Sequence, residues 1–263
     1  DIADDGTRYA EVRWAPSLHV DRGLSLNDGI DAVVRGANGA AARRGLVVRL
    51  IAVALRTHPA EVADEVAEAA SAFLDDGITG FDIAGVEAEA PDPTAFASAV
   101  EIARAGGLGI SCHAGEWGGA AQVRAALAVS PQRIAHGAPA ADDPELMRVL
   151  RERDVTLDLC PTSNLQIGVG SETVDAPLPR LLAAGVPVTI NTDDRTVSDL
   201  TLVREMERTV TQLGLSTDDI VTCQRRAYAV AFLHHDEDIR SGLSGRFEHW
   251  ISEHPAPVES GAG

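Results

Sequence analysis

Five short runs carry the side chains most able to do chemistry: Asp82 in GFDIAG, His113 and Glu116 in HAGE, His136 in RIAHG, Asn164 in CPTSN, and Asp193 and Asp194 in NTDD. A histidine and a carboxylate in one cleft can serve as a metal ligand and a general acid. The alternative for His113 and Glu116 is a core histidine beside a surface loop glutamate. His136, ending a short apolar run before Gly137, reads alone as a hydrogen-bonded structural histidine. Adjacent carboxylates closing an apolar run are costly to bury without a cation or donors. Asp193 and Asp194 alternate sides on a strand, so their roles must differ, and a helix N-cap explains one of them. Asp82 lies within an apolar run, where a local turn bond is the plain reading; Gly85 behind it permits close backbone approach to a ligand. Gathered in one place, these side chains make the set of a metal-assisted hydrolase: ligands, a general acid, a second base and an orienting carboxylate.

Something must gather them. Short apolar runs alternate with longer amphipathic ones along the chain. Strands are expected at Arg8–Pro16, Val47–Leu55, Gly77–Gly85, Leu108–Glu116, Arg133–Gly137, Val155–Asn164 and Val186–Asp194. Helices are expected at Ser25–Arg44, Glu61–Leu74, Thr94–Ala105, Ala120–Val129, Pro144–Arg153, Leu178–Ala184, Ser198–Leu213 and Asp218–Leu233. This β-α alternation means a parallel sheet with helical crossovers. No glycine-rich turn follows an early strand, so an open dinucleotide-binding sheet is disfavoured. Polar residues instead close strand after strand, as a (β/α)8 barrel of TIM type requires at its catalytic mouth. Seven strands are visible. The expectation is one barrel domain over residues 1–251, incomplete at its N-terminus and extended by C-terminal helices, with a flexible tail over 252–263.

Composition narrows the partners. The 263 residues carry a net charge of −18, which disfavours nucleic acid and anionic membranes. All 22 basic residues are Arg, so Schiff-base, P-loop and lysine-bridged two-metal chemistry are excluded. A single zinc is the economical metal. Cys112, Cys160 and Cys223 are widely spaced and in no ligand pattern; reduced thiols in a cytoplasmic protein fit them. No membrane-length apolar run or signal peptide is visible.

Six motifs in order resemble the adenosine deaminase family: Tyr9-Ala10-Glu11-Val12-Arg13 with Pro16, Gly80 to Gly85, His113 to Glu116, Arg133 to Gly137, Cys160 to Asn164, and Asn191 to Asp194. The resemblance spans nearly the whole chain. It implies a zinc-dependent deaminase of a 6-aminopurine nucleoside such as adenosine or deoxyadenosine. By that resemblance His113 and Asp193 are zinc ligands, and Glu116 delivers a proton to the ring nitrogen beside the reacting carbon. His136 assists deprotonation of the attacking water and steadies the oxyanion, and Asp194 aims the hydroxide. Gly85 is a backbone donor to the purine, with Asp82 near it. The Pro-Cys-x-x-Cys run of the cytidine-type zinc deaminases is absent.

The chain departs from the family in places. The family's first strand carries His-x-His, two further zinc ligands, and no His-x-His occurs here. With Asp1 in place of Met and only seven strands, an N-terminal strand–helix unit is expected to be missing, and zinc binding by this chain to be weak. Ala135 stands where Gly is usual. Arg195 stands where Pro is common, and is read as a partner of Asp194, a contact for an anionic substrate, or a rim cation in solvent. Trp117 is read as a stacking wall or a loop anchor. Two other functions are weighed: deamination of adenine or of a modified adenosine such as an aminofutalosine-type metabolite, and a non-catalytic barrel binding a nucleoside or a protein partner.

Overall fold

The computed structural model describes residues 1–20, 23–87, 92–169 and 173–254. Seven strands form one sheet: β1 Tyr9–Trp14, β2 Val47–Leu55, β3 Ile78–Ala84, β4 Gly109–Ala114, β5 Arg133–His136, β6 Thr156–Leu159 and β7 Val188–Ile190. Each pairs in parallel with the next, in chain order. The helices are α1 Ser17–Val20, α2 Leu26–Arg44, α3 Ala60–Ser71, α4 Ala97–Ala105, α5 Gly119–Ala126, α6 Pro144–Glu152, α7 Pro161–Gln166, α8 Pro177–Ala183, α9 Arg195–Ser198, α10 Leu202–Thr211, α11 Thr217–Val230 and α12 Glu237–Glu253.

The sheet is curled, and its own side chains prove it. Strands β1 and β6 are five steps apart, about 24 Å across a flat sheet at the usual strand spacing. Yet Arg13 Nη2 on β1 lies 2.6 Å from Asp158 Oδ2 on β6. Arg13 also reaches Asp82 on β3 and Ser111 on β4, at 2.9 and 2.8 Å. Further down the interior, Arg133 on β5 pairs with Glu11 on β1. The inside of the half-barrel is therefore a charged network, while the layer between sheet and helices is the apolar core, built from residues such as Ile30, Val66, Ile83, Val100, Ile134 and Leu157.

Phe232, just after α11, closes the bottom. Gly80 and Gly109 face each other in register on β3 and β4. A Cβ on Gly109 would lie 2.2 Å from the Phe232 ring, and one on Gly80 would lie 2.5 Å from it. The glycine pair is the slot into which the ring fits. The Arg133 guanidinium stacks over its face at 4.0 Å, and the Phe232 N–H donates to Glu11 Oε1.

Local signals set the helix ends. Ser25 caps α2 and Gly45 closes it with φ +64°. Asp143 caps α6 ahead of Pro144, and a Ser216–Asp219 capping box opens α11. Three expectations need correction. Residues 161–164 continue not as strand but as α7, because Pro161 sits at its first position and Cys160 ends the extended backbone. The strand expected to run to Asp194 stops at Ile190. The helix expected over Ser198–Leu213 is broken into α9 and α10 at Asp199, whose φ is +46°. Ser252 and Glu253 close α12, and the rest of the expected tail, from 255 on, lies outside the described residues. No helix among the described residues is long and apolar enough to cross a membrane.

Candidate active site

The C-terminal ends of β3, β4, β5 and β7 converge on one mouth. His113 is the fifth residue of β4 and His136 the last of β5; Ala114 and His136 are register partners. The two imidazoles are 5.3 Å apart between ring centres. His136 Nε2 lies 3.7 Å from Glu116 Oε2 and 4.0 Å from Asp193 Oδ2. Asp193 Oδ2 in turn accepts a hydrogen bond from Ser163 Oγ at 2.7 Å.

Two of these residues sit in left-handed backbone, His136 at φ +63° and Asp193 at φ +54°. Neither is Gly, so each conformation costs energy that the surroundings must supply. For His136 that turn, followed by Gly137 at φ +72°, swings the imidazole off the strand and into the mouth.

The imidazoles are held differently. His113 Nδ1 lies 2.7 Å from Asp82 Oδ2, and Asp82 is wholly buried. In the neutral ring that contact places the proton on Nδ1 and leaves Nε2 as the lone-pair nitrogen. Burial works against charge on His113, but the Asp82 carboxylate outweighs it and raises the imidazole above its ordinary pKa. Burial would likewise raise Asp82, yet His113 and Arg13 hold it far below the usual carboxylate range. His136 Nδ1 is 2.9 Å from Asn164 Oδ1. With that oxygen as acceptor, Nδ1 carries the proton and Nε2 is the basic atom facing Glu116 and Asp193. Burial, then the proximity of His113, lowers the pKa of His136 and favours its neutral ring.

Not every expected residue enters this cluster. Asp82 stands behind His113 rather than on the open mouth, and its partners are long-range, so the local turn bond is not its role. Asp194 caps α9: its Oδ1 accepts from the N–H groups of Thr196 and Val197 at 2.9 and 3.0 Å. Gly85 ends β3 in a turn at φ +112°, where a Cβ would lie 3.6 Å from the Arg56 nitrogen. Arg195 pairs with neither Asp194 nor bulk solvent; Nη1 donates to Asp5 Oδ2 at 2.7 Å. Trp117 is 53% exposed, and its backbone N–H, not its indole, is the anchor, donating to Glu87 Oε2 at 3.0 Å.

The structure adds residues that sequence reasoning passed over. Arg13 holds Asp82. Arg56 is buried and donates to the His113 carbonyl at 2.6 Å, fixing the end of β4. Cys160 Sγ lies within 4.8 Å of ligand atoms of His136 and Asp193; burial pushes its thiol well above the ordinary range, so it stays protonated. Sequence offers no signal that singles out Arg13: Glu11 and Arg13 alternate inside a strand whose period-2 pattern reads equally well as solvent-facing.

The donor chemistry suits a metal of zinc's kind on one side. A carboxylate-bound histidine presenting its other nitrogen is the usual second-shell arrangement at such centres, and the Asp193 carboxylate faces the same space.

Comparison with known proteins points the same way. A family model described as adenosine deaminase matches residues 1–245. An adenosine deaminase of Mycobacteroides abscessus is 40% identical over 254 residues, covering 90% of this chain and 69% of that protein. Among solved structures, an adenine deaminase from Arthrobacter aurescens superposes with a TM-score of 0.85 at 28% identity, covering 95% of this chain and 76% of that one. The N6-methyl-AMP deaminase of Arabidopsis thaliana does so with a TM-score of 0.86 at 26% identity, covering 97% and 76%. A half-barrel that superposes on these deaminases over at least 95% of its length, and a sequence match running from Asp1 to Gly245, leave one assignment: the chain belongs to the adenosine deaminase family of hydrolytic enzymes.

Proposed function

We propose that this chain carries the catalytic groups of a zinc-dependent deaminase that converts a 6-aminopurine nucleoside, adenosine or deoxyadenosine, to the 6-oxo product and ammonia. The observation that carries the reading is the meeting of Glu116, His136 and Asp193 at one mouth, with His113 presented by Asp82 beside them.

His113 Nε2 and the Asp193 carboxylate are the groups that would hold zinc. When bound, zinc supplies a Lewis acid that makes hydroxide available near neutral pH. The chain's own groups handle the protons. His136, neutral and with Nε2 unprotonated, takes a proton from the attacking water and then faces the developing oxyanion as its conjugate acid. Glu116 delivers a proton to the ring nitrogen beside C6, so that the ring accepts the electron pair. The C6–N bond then breaks as His136 returns its proton to the departing amino group and the C6 hydroxyl proton passes back to Glu116, so ammonia leaves, the 6-oxo group forms and both side chains return to their starting states. Asn164 keeps His136 in the one tautomer that can do this. Asp194 aims the hydroxide in this reading, and Gly85 offers its backbone N–H to the purine.

Ammonia release from adenosine, deoxyadenosine, adenine and modified 6-aminopurine nucleosides, with zinc supplied, tests the reading. A nucleoside is expected to be the best substrate. Glu116→Gln is expected to lose about 10²–10⁴-fold in kcat with zinc affinity retained; full activity in that variant overturns the assignment. Preference for free adenine or a modified nucleoside would move the substrate within the same chemistry. Nucleoside binding without turnover would favour a binding barrel.

A further inference from the structure

The loop after β4 carries Glu116 in the run Gly115-Glu116-Trp117-Gly118-Gly119. Three glycines in five residues give this loop little stiffness of its own. Gly115 and Gly119 take φ values of +75° and +70°, so the chain bends sharply on both sides of Glu116. The pair Glu116–His136 nevertheless has a defined separation, and something outside the loop must impose it.

That something is Glu87. It follows β3, is 2% exposed, and reaches the loop from the neighbouring strand end. Its Oε2 accepts from the backbone N–H of Trp117 at 3.0 Å and from that of Gly118. Two consecutive amides converge on one carboxylate oxygen, directly after the residue that does the chemistry. Hydrogen bonds to an ionised acceptor are about twice as strong as neutral ones. Glu87 Oε1 accepts no hydrogen bond among the described residues, so there these two bonds are what holds the buried carboxylate.

The fit is close on both sides. A Cβ on Gly118 would lie 2.8 Å from Glu87 Oε2 and 2.3 Å from Gln122 Cγ. Gln122 is itself held: its Oε1 accepts from Arg56 Nη1 at 3.1 Å, and the same guanidinium donates to the His113 carbonyl. The loop is thus gripped between Glu87 and the start of α5, on a frame that also fixes His113.

We propose that Glu87 is a positioning residue for Glu116, acting through the backbone of Trp117 and Gly118. In this role it acts on the loop backbone and not on the reacting atoms. This rests on the deaminase reading for its kinetic consequence, but the clasp itself can be read without turnover. A 1 Å misplacement of a catalytic group can cost about 10²-fold in rate.

The test uses the full chain with zinc supplied. In Glu87→Ala the amides of Trp117 and Gly118 are expected to exchange with solvent at least about tenfold faster, measured residue by residue. The value of kcat is expected to fall about 10–10²-fold with KM changed less than threefold. Glu87→Gln keeps a carbonyl oxygen for the two amides and is expected to restore both readouts to within about threefold. A plain loss of stability would move neither the two named amides alone nor kcat without KM. If Glu87→Ala does not fold, Gly118→Ala presses the same clasp from the other side and is expected to show the same pair of changes. Unchanged exchange at both amides overturns the clasp. Faster exchange with unchanged kcat overturns the positioning of Glu116. Absence of turnover in the unsubstituted chain with zinc shown to be bound sinks the deaminase reading, and amide exchange then decides the clasp by itself.

Discussion

Asp82 joins two groups at once: one oxygen, Oδ2, lies 2.7 Å from His113 Nδ1 and 2.9 Å from Arg13 Nη1. The carboxylate neutralises a partly buried guanidinium and orients the histidine that would face a metal. Removing it should do two separable things. Asp82→Ala leaves Arg13 with one buried counter-ion fewer and should destabilise the fold by about 3–5 kcal/mol. Asp82→Asn keeps the shape and should cost less stability, yet lower zinc affinity about 10–100-fold. Urea unfolding and zinc titration against a competing chelator separate the two effects; equal zinc affinity in Asp82→Asn would falsify the orienting role.

Zinc favours four ligands, and His113 and Asp193 supply two. The purified chain is therefore expected to hold well below one zinc per molecule by elemental analysis. Added zinc should raise Tm, and His113→Ala should abolish that rise. Cys160→Ser should leave it intact, because His113 and Asp193 are the groups proposed to hold the metal. A stoichiometric metal content as isolated would show that His136 or Cys160 has been recruited.

The slot for Phe232 gives a packing prediction. Gly109→Ala forces a methyl into the ring and should destabilise by at least about 1–3 kcal/mol. Phe232→Leu alone should also destabilise, by opening space at the bottom of the barrel. Because the two changes relieve each other, the double variant should be more stable than the sum of the singles predicts. Additive losses in a double-mutant cycle would mean that the ring does not occupy the slot.

A pH dependence follows from Asp5. Burial alone would raise its carboxyl, but hydrogen bonds from Thr7 and Arg195 overrule it and hold the pKa below the ordinary value. A depressed folded-state pKa adds stability that is present above the unfolded value, about 3.9, and is lost as pH falls through the folded one. Asp5→Asn should cost about 1–3 kcal/mol at pH 7. The gap between variant and parent should close progressively below about pH 4. A gap that stays constant from pH 7 to pH 3 in urea unfolding would rule this out.

What was legible in the sequence was whatever depends on neighbours along the chain. The run VVRLIAVAL gives β2 to the residue, because β-branched and apolar side chains are bounded by Gly45-Leu46 before and Arg56-Thr57 after. Pro144 marks the start of α6 for the same local reason, whereas α11 starts at Thr217, one residue ahead of the expected Asp218, and ends at Val230, three short of the expected Leu233. The segment Cys160–Asn164 is ambiguous because a polar run after a strand can coil into a loop or a helix, and only Pro161, at the first position of α7, favours the helix. Asp193 and Asp194 could be told apart in principle but not in detail: only the backbone turn at φ +54° decides which one faces His136. Arg13, Glu11, Arg133 and Asp158 were illegible as a network. Their partners lie on other strands, and a charge facing the barrel interior has the same period as one facing water. Glu87 was hidden for a related reason, since its partners are backbone amides that no side-chain pattern records.

The reach of Arg13 across the barrel also bears on how the molecule assembles. Arg13 and Asp158 are 145 residues apart in the chain, and their ion pair can form only after the strands between them have docked and the sheet has curled. Such a contact pays its loop-closure entropy before it returns anything. It should be absent from the transition state for folding and present only in the native basin. Neutralising it should therefore leave the refolding rate nearly unchanged and speed unfolding, so that the charged interior acts as a latch closed last and opened first.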